Sequence, residues 1–167
     1  EPLLRRDLAE IMKFACETNI ATVNVISNGV FLDDKFMGNF TEKELQKIGI
    51  NFSIDGLEYD HNFIRGTDKF QITLRNFDFV YNNYFKPQRI NSLLLSSILM
   101  QENFANYISF LELFKKYENV KIDIQPVIPN NELCYLKKSF MLTELEKNKL
   151  QGIVGYVMNN PDLSSRP

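Results

Sequence analysis

The sequence predicts an α/β fold of parallel strand–helix repeats, and three observations lead there. Short apolar runs of strand length alternate with stretches of helical period, as one helix followed by four strand–helix units spaced by roughly 30 to 40 residues. Alternation at that spacing calls for parallel strands joined by right-handed crossovers. Two of the strands end in short polar strings, Ser27-Asn28-Gly29 and Ser53-Ile54-Asp55-Gly56, with Ile64-Arg65-Gly66 just downstream. In such sheets ligands bind at the C-terminal strand edge, so two strings on successive strands suggest one shared site.

Each element has its own local reason. Leu3–Thr18 places Leu4, Leu8, Ile11, Met12 and Ala15 on one face at i, i+3, i+4 spacing and reads as an amphipathic helix. Thr22–Ile26 is a short β-branched run. Thr41-Glu42-Lys43-Glu44 carries a capping-box pattern and opens a short helix through about Lys47. Ile48–Ile54 is the next strand, followed by a loop. Asp68 then caps a helix with Phe70, Leu74, Phe77 and Tyr81 on one stripe. Ile90–Met100 reads as a buried strand, and Asn103–Lys116 as a helix presenting Phe104, Ile108, Leu111 and Lys115. In the strand Val120–Ile128, Val120, Ile122 and Ile124 alternate with Lys121, Asp123 and Gln125. Thr143-Glu144-Leu145-Glu146 is a second capping box, opening a helix through about Met158.

Composition narrows the function classes. With 167 residues, 44% hydrophobic content and 14 Phe, the chain is long enough for one domain with a core. A net charge of −2 gives no electrostatic footprint for nucleic acid. The longest apolar run, Leu93–Met100, is interrupted by Ser96-Ser97 and is too short to span a bilayer. Cys16 and Cys134 lie far apart with no secretory signal, so a reduced, cytoplasmic protein is expected. The seven glycines form no glycine-rich phosphate loop. A four-stranded parallel sheet would leave two edges open, and the chain enters a helix directly from Glu1. The expectation is therefore an internal piece of a larger (βα) domain, in preference to a complete small flavodoxin-like one.

Taken singly, the polar residues have bland readings. Glu1 suits the first turn of a helix, Asn28 and Gly29 suit a turn, and Arg65 suits the surface. His61 reads as a loop residue beside Arg65, Cys16 as a small buried hydrophobe, Asp33-Asp34 as a polar loop and Lys137-Lys138 as a solvated pair. Taken together they are more specific. Glu1-Pro2-Leu3, Ser27-Asn28-Gly29, Ser53-Ile54-Asp55-Gly56 and His61-Asn62-Phe63-Ile64-Arg65-Gly66 resemble, in order and spacing, the middle of a radical S-adenosylmethionine (SAM) enzyme. There the strings run G-G-E-P-L, T-N-G, S-x-D-G and H-D-x-I-R-G. The resemblance covers nearly the whole chain and is strongest from Glu1 to about Phe77.

That resemblance implies an internal fragment of a partial TIM-type (βα)6 barrel, with residues 1–167 forming a radical SAM domain truncated at its N-terminus. It implies that Glu1 holds the SAM amino group, and that Ser53 and Arg65 bind its carboxylate. Ser27 and Asn28 would reach the ribose or the methionine end, and Asp55 would also bind the cofactor; the strand Ser92–Met100 and the strand end Gln125-Pro126-Val127 would line the adenine. A [4Fe–4S] cluster, its three thiolates upstream of Glu1, would cleave SAM reductively to a 5′-deoxyadenosyl radical that abstracts a substrate hydrogen. Implied partners are a peptide or cofactor precursor as substrate and an electron donor such as flavodoxin or ferredoxin. Departures are Ser27 for Thr, Asn62 for Asp, and the absence of a C-x-x-x-C-x-x-C string, so the chain alone is expected to be inactive. The alternative is a non-catalytic (βα) scaffold or protein-binding module that has lost its cluster.

Overall fold

Val23–Ser27 (β1), Ile48–Ser53 (β2), Ser92–Leu99 (β3) and Lys121–Pro126 (β4) form a parallel sheet in the order β1-β2-β3-β4, alternating with helices along the chain. This is the expected α/β pattern, and no barrel closes among the described residues. The computed structural model describes residues 1–126, 142 and 144–160. The β1–β2 register runs from Val23 opposite Ile48 to Ser27 opposite Phe52, which brings the two strands to their C-terminal ends together. The chain divides into two compact units, Glu1–Ser53 with Lys69–Leu95, and Ile54–Asp68 with Ser96–Pro167.

In the first unit the expected opening helix is interrupted. Pro2–Leu4 forms a 3-10 turn, the chain straightens at Arg5, and the helix proper is Leu8–Glu17 (α1). Its buried residues are Met12 and Cys16, while Leu4 and Ile11 are exposed, so the buried stripe is narrower than the periodicity suggests. The last carbonyls of α1 are met by Lys47, whose Nζ donates to Cys16 O at 2.6 Å and Thr18 O at 3.1 Å, a cation at the negative helix end. Two short helices follow, Asp34–Met37 (α2) and Glu42–Leu45 (α3). The expected Asp33-Asp34 loop is the start of α2, with the Asp33 carboxylate accepting from Phe36 N. The Thr41–Glu44 capping box is formed as expected.

Phe70–Val80 (α5), which follows Glu58–Arg65 (α4) of the second unit in the chain, continues into a π turn, Tyr81–Phe85. Its N-cap is Lys69, one residue past the expected Asp68, and it makes no side-chain cap bond. Phe70, Phe77 and Tyr81 are buried as expected, and Phe77 meets Phe52 edge-on at 5.0 Å between ring centroids. Rings buried this fully contribute roughly 1.5–3 kcal/mol each. Thr73 and Asn76 are buried on the same helix, which apolar periodicity does not register.

The second unit holds an element the sequence reading missed. Glu58–Arg65 is a helix (α4) where a loop was expected. Its signals are visible in retrospect: Glu58 and Asp60 in the first turn, Arg65 in the last, and Gly66 at φ 60° closing the end with bonds to Asn62 O and Phe63 O. The expected helix Asn103–Lys116 is two pieces, Gln101–Phe104 (α6) and Tyr107–Phe114 (α7). Counting from Phe104 through the break carried the wrong phase. The buried face of α7 is Tyr107, Phe110, Leu111 and Phe114, and Ile108 is exposed. Tyr107, Phe110, Phe114 and Tyr117 pack in sequence at 5.2–5.7 Å. Val120 and Ile122 are buried while Lys121 and Gln125 face out, as the alternation predicts. Glu144–Asn159 (α8) is the last helix among the described residues and packs on α7. Val127, Cys134, Lys137-Lys138 and Thr143 lie outside the described residues.

Candidate functional site

At the end of β1 the polar string is folded around the carboxylate of Glu1. Ser27 Oγ donates to Glu1 Oε1 at 2.8 Å, and the Asn28 and Leu3 N–H groups donate to Oε2 at 2.9 Å and Oε1 at 3.1 Å. Charge-assisted bonds of this kind fix a carboxylate in place. Glu1 itself is exposed, whereas Ser27 is 3% exposed and its oxygen also accepts from Gly29 N at 2.9 Å. The Ser27 hydroxyl, expected near the ribose or the methionine end of a ligand, bonds within the chain to Glu1 and to the turn. Asn28 behaves as a turn residue, its Oδ1 accepting from Val30 N at 3.0 Å. Gly29 takes the expected positive φ, 80°. Two buried residues of α5 complete the support: Thr73 Oγ1 donates to Asn28 O, and Asn76 Nδ2 to Gly29 O and Val30 O, each at 2.9 Å. These two were missed because a polar residue on a buried helix face looks like a break in the pattern.

After β2 a second cluster forms within the other unit. Asp55 is 1% exposed, and both of its carboxylate oxygens are engaged: Oδ2 by Arg65 Nε at 2.5 Å, and Oδ1 by Ile98 N at 3.0 Å. Asp55, expected among the cofactor-binding residues, thus has a partner within the chain at each oxygen. Its main chain is bonded too, the N–H donating to His61 Nδ1 at 3.2 Å and the carbonyl accepting from Asn103 Nδ2. His61 is a helical residue, 1% exposed, and not the loop residue expected. It sits one turn before Arg65 on α4, and the spacing of four was the available signal.

The His61 ring is held neutral. Burial, the larger effect, pulls its pKa from 6.5 down to about 4 against the opposing pull of the Asp55 charge. Between those values the unfolded chain binds a proton that the folded chain refuses, so this contribution to stability is whole above pH 6.5 and drains away as the pH falls to about 4. The amount is about 3 kcal/mol. His61 is the chain's single histidine, so its ring protons can be followed by NMR. The expected midpoint in the folded protein is near pH 4; one near 6.5 would show an imidazole in contact with water.

The remaining candidates stand apart from hydrogen-bonded clusters. Ser53 is half-buried at the last position of β2, on the strand face it shares with Asn51. Gln125 is exposed on β4 and donates from Nε2 to Asp123 Oδ2 at 2.7 Å. Among the described residues no group of three His, Cys, Asp or Glu side chains could hold a metal ion. Cys16 is buried within α1, and burial pushes its thiol pKa up, the opposite of what an iron ligand needs. An iron–sulfur cluster does not fit these residues. Among them, too, no helix is long and apolar enough to cross a membrane.

No protein-family model matches the sequence. Solved structures do. Native anSMEcpe with bound AdoMet and Kp18Cys peptide aligns at a TM-score of 0.57 and 17% identity, over 95% of this chain and 44% of that one. The same protein with bound AdoMet aligns at 0.57 and 16% identity over 86% and 39%, and with AdoMet and Cp18Cys peptide at 0.56 and 17% over 94% and 44%. That protein is an anaerobic sulfatase-maturating radical SAM enzyme. The chain shares its fold and spans less than half its length.

Proposed function

We propose that this chain, with its radical SAM fold, is the central part of the cofactor-binding domain of a radical SAM enzyme whose substrate is a peptide. The observation that carries the reading is the Glu1 carboxylate, exposed yet fixed at the C-terminal end of β1 by Ser27 Oγ and Asn28 N–H. An ammonium group with three donors seeks such an acceptor, and three protein bonds leave a carboxylate with lone pairs to spare. The shared fold and the AdoMet and peptide bound in the aligned structures lend support. The chemistry supplied by the bound cofactors is one-electron cleavage of SAM at a [4Fe–4S] cluster, whose ligands we place outside this sequence.

This chain's own part is recognition of the amino-acid end of SAM. Glu1 takes the ammonium. Arg65 offers the carboxylate the Nη1–Nη2 edge that its bond to Asp55 leaves unused, and the Ser53 hydroxyl adds a third donor. Ser27 holds Glu1. None of these residues moves a proton; they set position and exclude other ligands. An electron donor such as flavodoxin or ferredoxin and a cytoplasmic setting belong to the same reading.

The test uses the full-length protein with its cluster reconstituted anaerobically. Reduced with dithionite and given SAM, it is expected to release methionine and 5′-deoxyadenosine. Glu1→Gln should raise the SAM dissociation constant about tenfold, the worth of one charge-assisted bond. A protein that carries the cluster yet neither binds nor cleaves SAM would overturn the proposal.

A further inference from the structure

Resting on the proposed role of Arg65 above, we infer that Asp55 is a positioning residue which selects the edge of the Arg65 guanidinium that a ligand carboxylate meets. A guanidinium has two edges suited to a carboxylate, the side edge with Nε and the end edge with Nη1 and Nη2. The Asp55 carboxylate occupies the side edge through Nε at 2.5 Å. Asp55 cannot swing to follow a mobile arginine, because its other oxygen is bound by Ile98 N at 3.0 Å on β3. Its main chain is tied at both polar groups, by His61 Nδ1 and by Asn103 Nδ2. Asn103 is itself 0% exposed and is fixed by Met100 N and Ile98 O at 2.9 and 2.7 Å. The Arg65 side chain retains 32% exposure while its Asp55 partner has 1%.

The geometry is thus a buried, immobile anion gripping one edge of a partly exposed cation. Asp55 works through Arg65 and touches no ligand. A long side chain that would otherwise lose much rotamer freedom on binding is ordered in advance, and the ligand meets two parallel donors already aimed.

The experiment compares SAM with decarboxylated SAM, which keeps the adenosine, sulfonium and ammonium but has no carboxylate. Dissociation constants are measured for both on the reconstituted full-length protein, as wild type, Asp55→Asn, Arg65→Ala and the double variant. Asp55→Asn is expected to weaken SAM about tenfold and the decarboxylated analogue less than about twofold. The double variant should bind SAM no more weakly than Arg65→Ala, because the two residues act as one unit. Arg65→Lys, which leaves Asp55 intact, should lose most of the SAM affinity, since an ammonium held by Asp55 cannot present two parallel donors to a carboxylate. Arg65→Lys retaining SAM affinity would overturn the inference even if Asp55→Asn did not fold. Equal loss for both ligands, or additive loss in the double variant, would overturn it while leaving Arg65 as a carboxylate holder. Unchanged SAM binding in Arg65→Ala would remove the underlying reading itself.

Discussion

Alanine at position 29 should destabilise the protein by about 3–4 kcal/mol, a large loss for one methyl group. Two costs combine. The backbone there has φ 80°, where a side chain crowds its own carbonyl at about 1–2 kcal/mol. The new Cβ would also lie 2.3 and 2.4 Å from Cδ1 and Cε1 of Phe52. That ring cannot give way, being 0% exposed and packed edge-on against Phe77, and Thr73 Cγ2 closes the other side at 3.2 Å. Nor can the turn retreat without breaking the bond from Asn76 to the Gly29 carbonyl. Urea unfolding of wild type and Gly29→Ala measures the difference, and a loss below about 1 kcal/mol would mean that the turn is looser than its contacts imply. Because this turn also carries Ser27 and the Asn28 N–H, the variant should weaken the grip on Glu1 as well.

The second large effect is expected at Asn103. Replacing it with leucine keeps the volume but removes a donor shared by the Asp55 and Ile98 carbonyls and an acceptor for Met100 N–H. Each buried group left without a partner costs about 1–3 kcal/mol, so a total near 4 kcal/mol is expected. Asn103→Asp keeps the acceptor but turns an oxygen towards two carbonyls, and should be no better at neutral pH. Unfolding in urea gives the size, and amide exchange gives the cause: Met100 N–H should lose its protection first. If exchange at Met100 were unchanged, the side chain would not be the partner of that amide.

Both positions show how far the residues can be read in isolation. The turn at Gly29 was legible because Ser-Asn-Gly after a β-branched run has a local chemistry: a side chain that bonds its own backbone, and a residue without a Cβ. The capping box at Thr41–Glu44 was legible for the same reason. Asn103 was not. Mid-chain asparagines look alike until the fold decides which one is surrounded by bare carbonyls. The phase of α7 was misjudged because a helical period is meaningful only within one unbroken helix, and the break before Tyr107 costs no apolar residue. Helix α4 was passed over because its mean character is polar; its buried side holds Asp60 and His61, which periodicity counts as surface.

The site divides in the same way. Ser27, Asn28, Ser53 and Asp55 stood out as polar strings at strand ends with Arg65 just downstream, whereas Glu1 was singled out by the resemblance. Their burial and their bonding partners were not legible there. Ser27 and Asp55, 3% and 1% exposed, differ from the exposed Glu1 and the partly exposed Arg65 in burial and in what already occupies their polar atoms. The sequence by itself determined the alternation of strands and helices, the turns, and which polar residues stand at strand ends, since these depend on chemistry within a few positions. Only the tertiary structure decided which carboxylate faces outward and which is consumed in holding an arginine, because burial and partnership are set by residues tens of positions away.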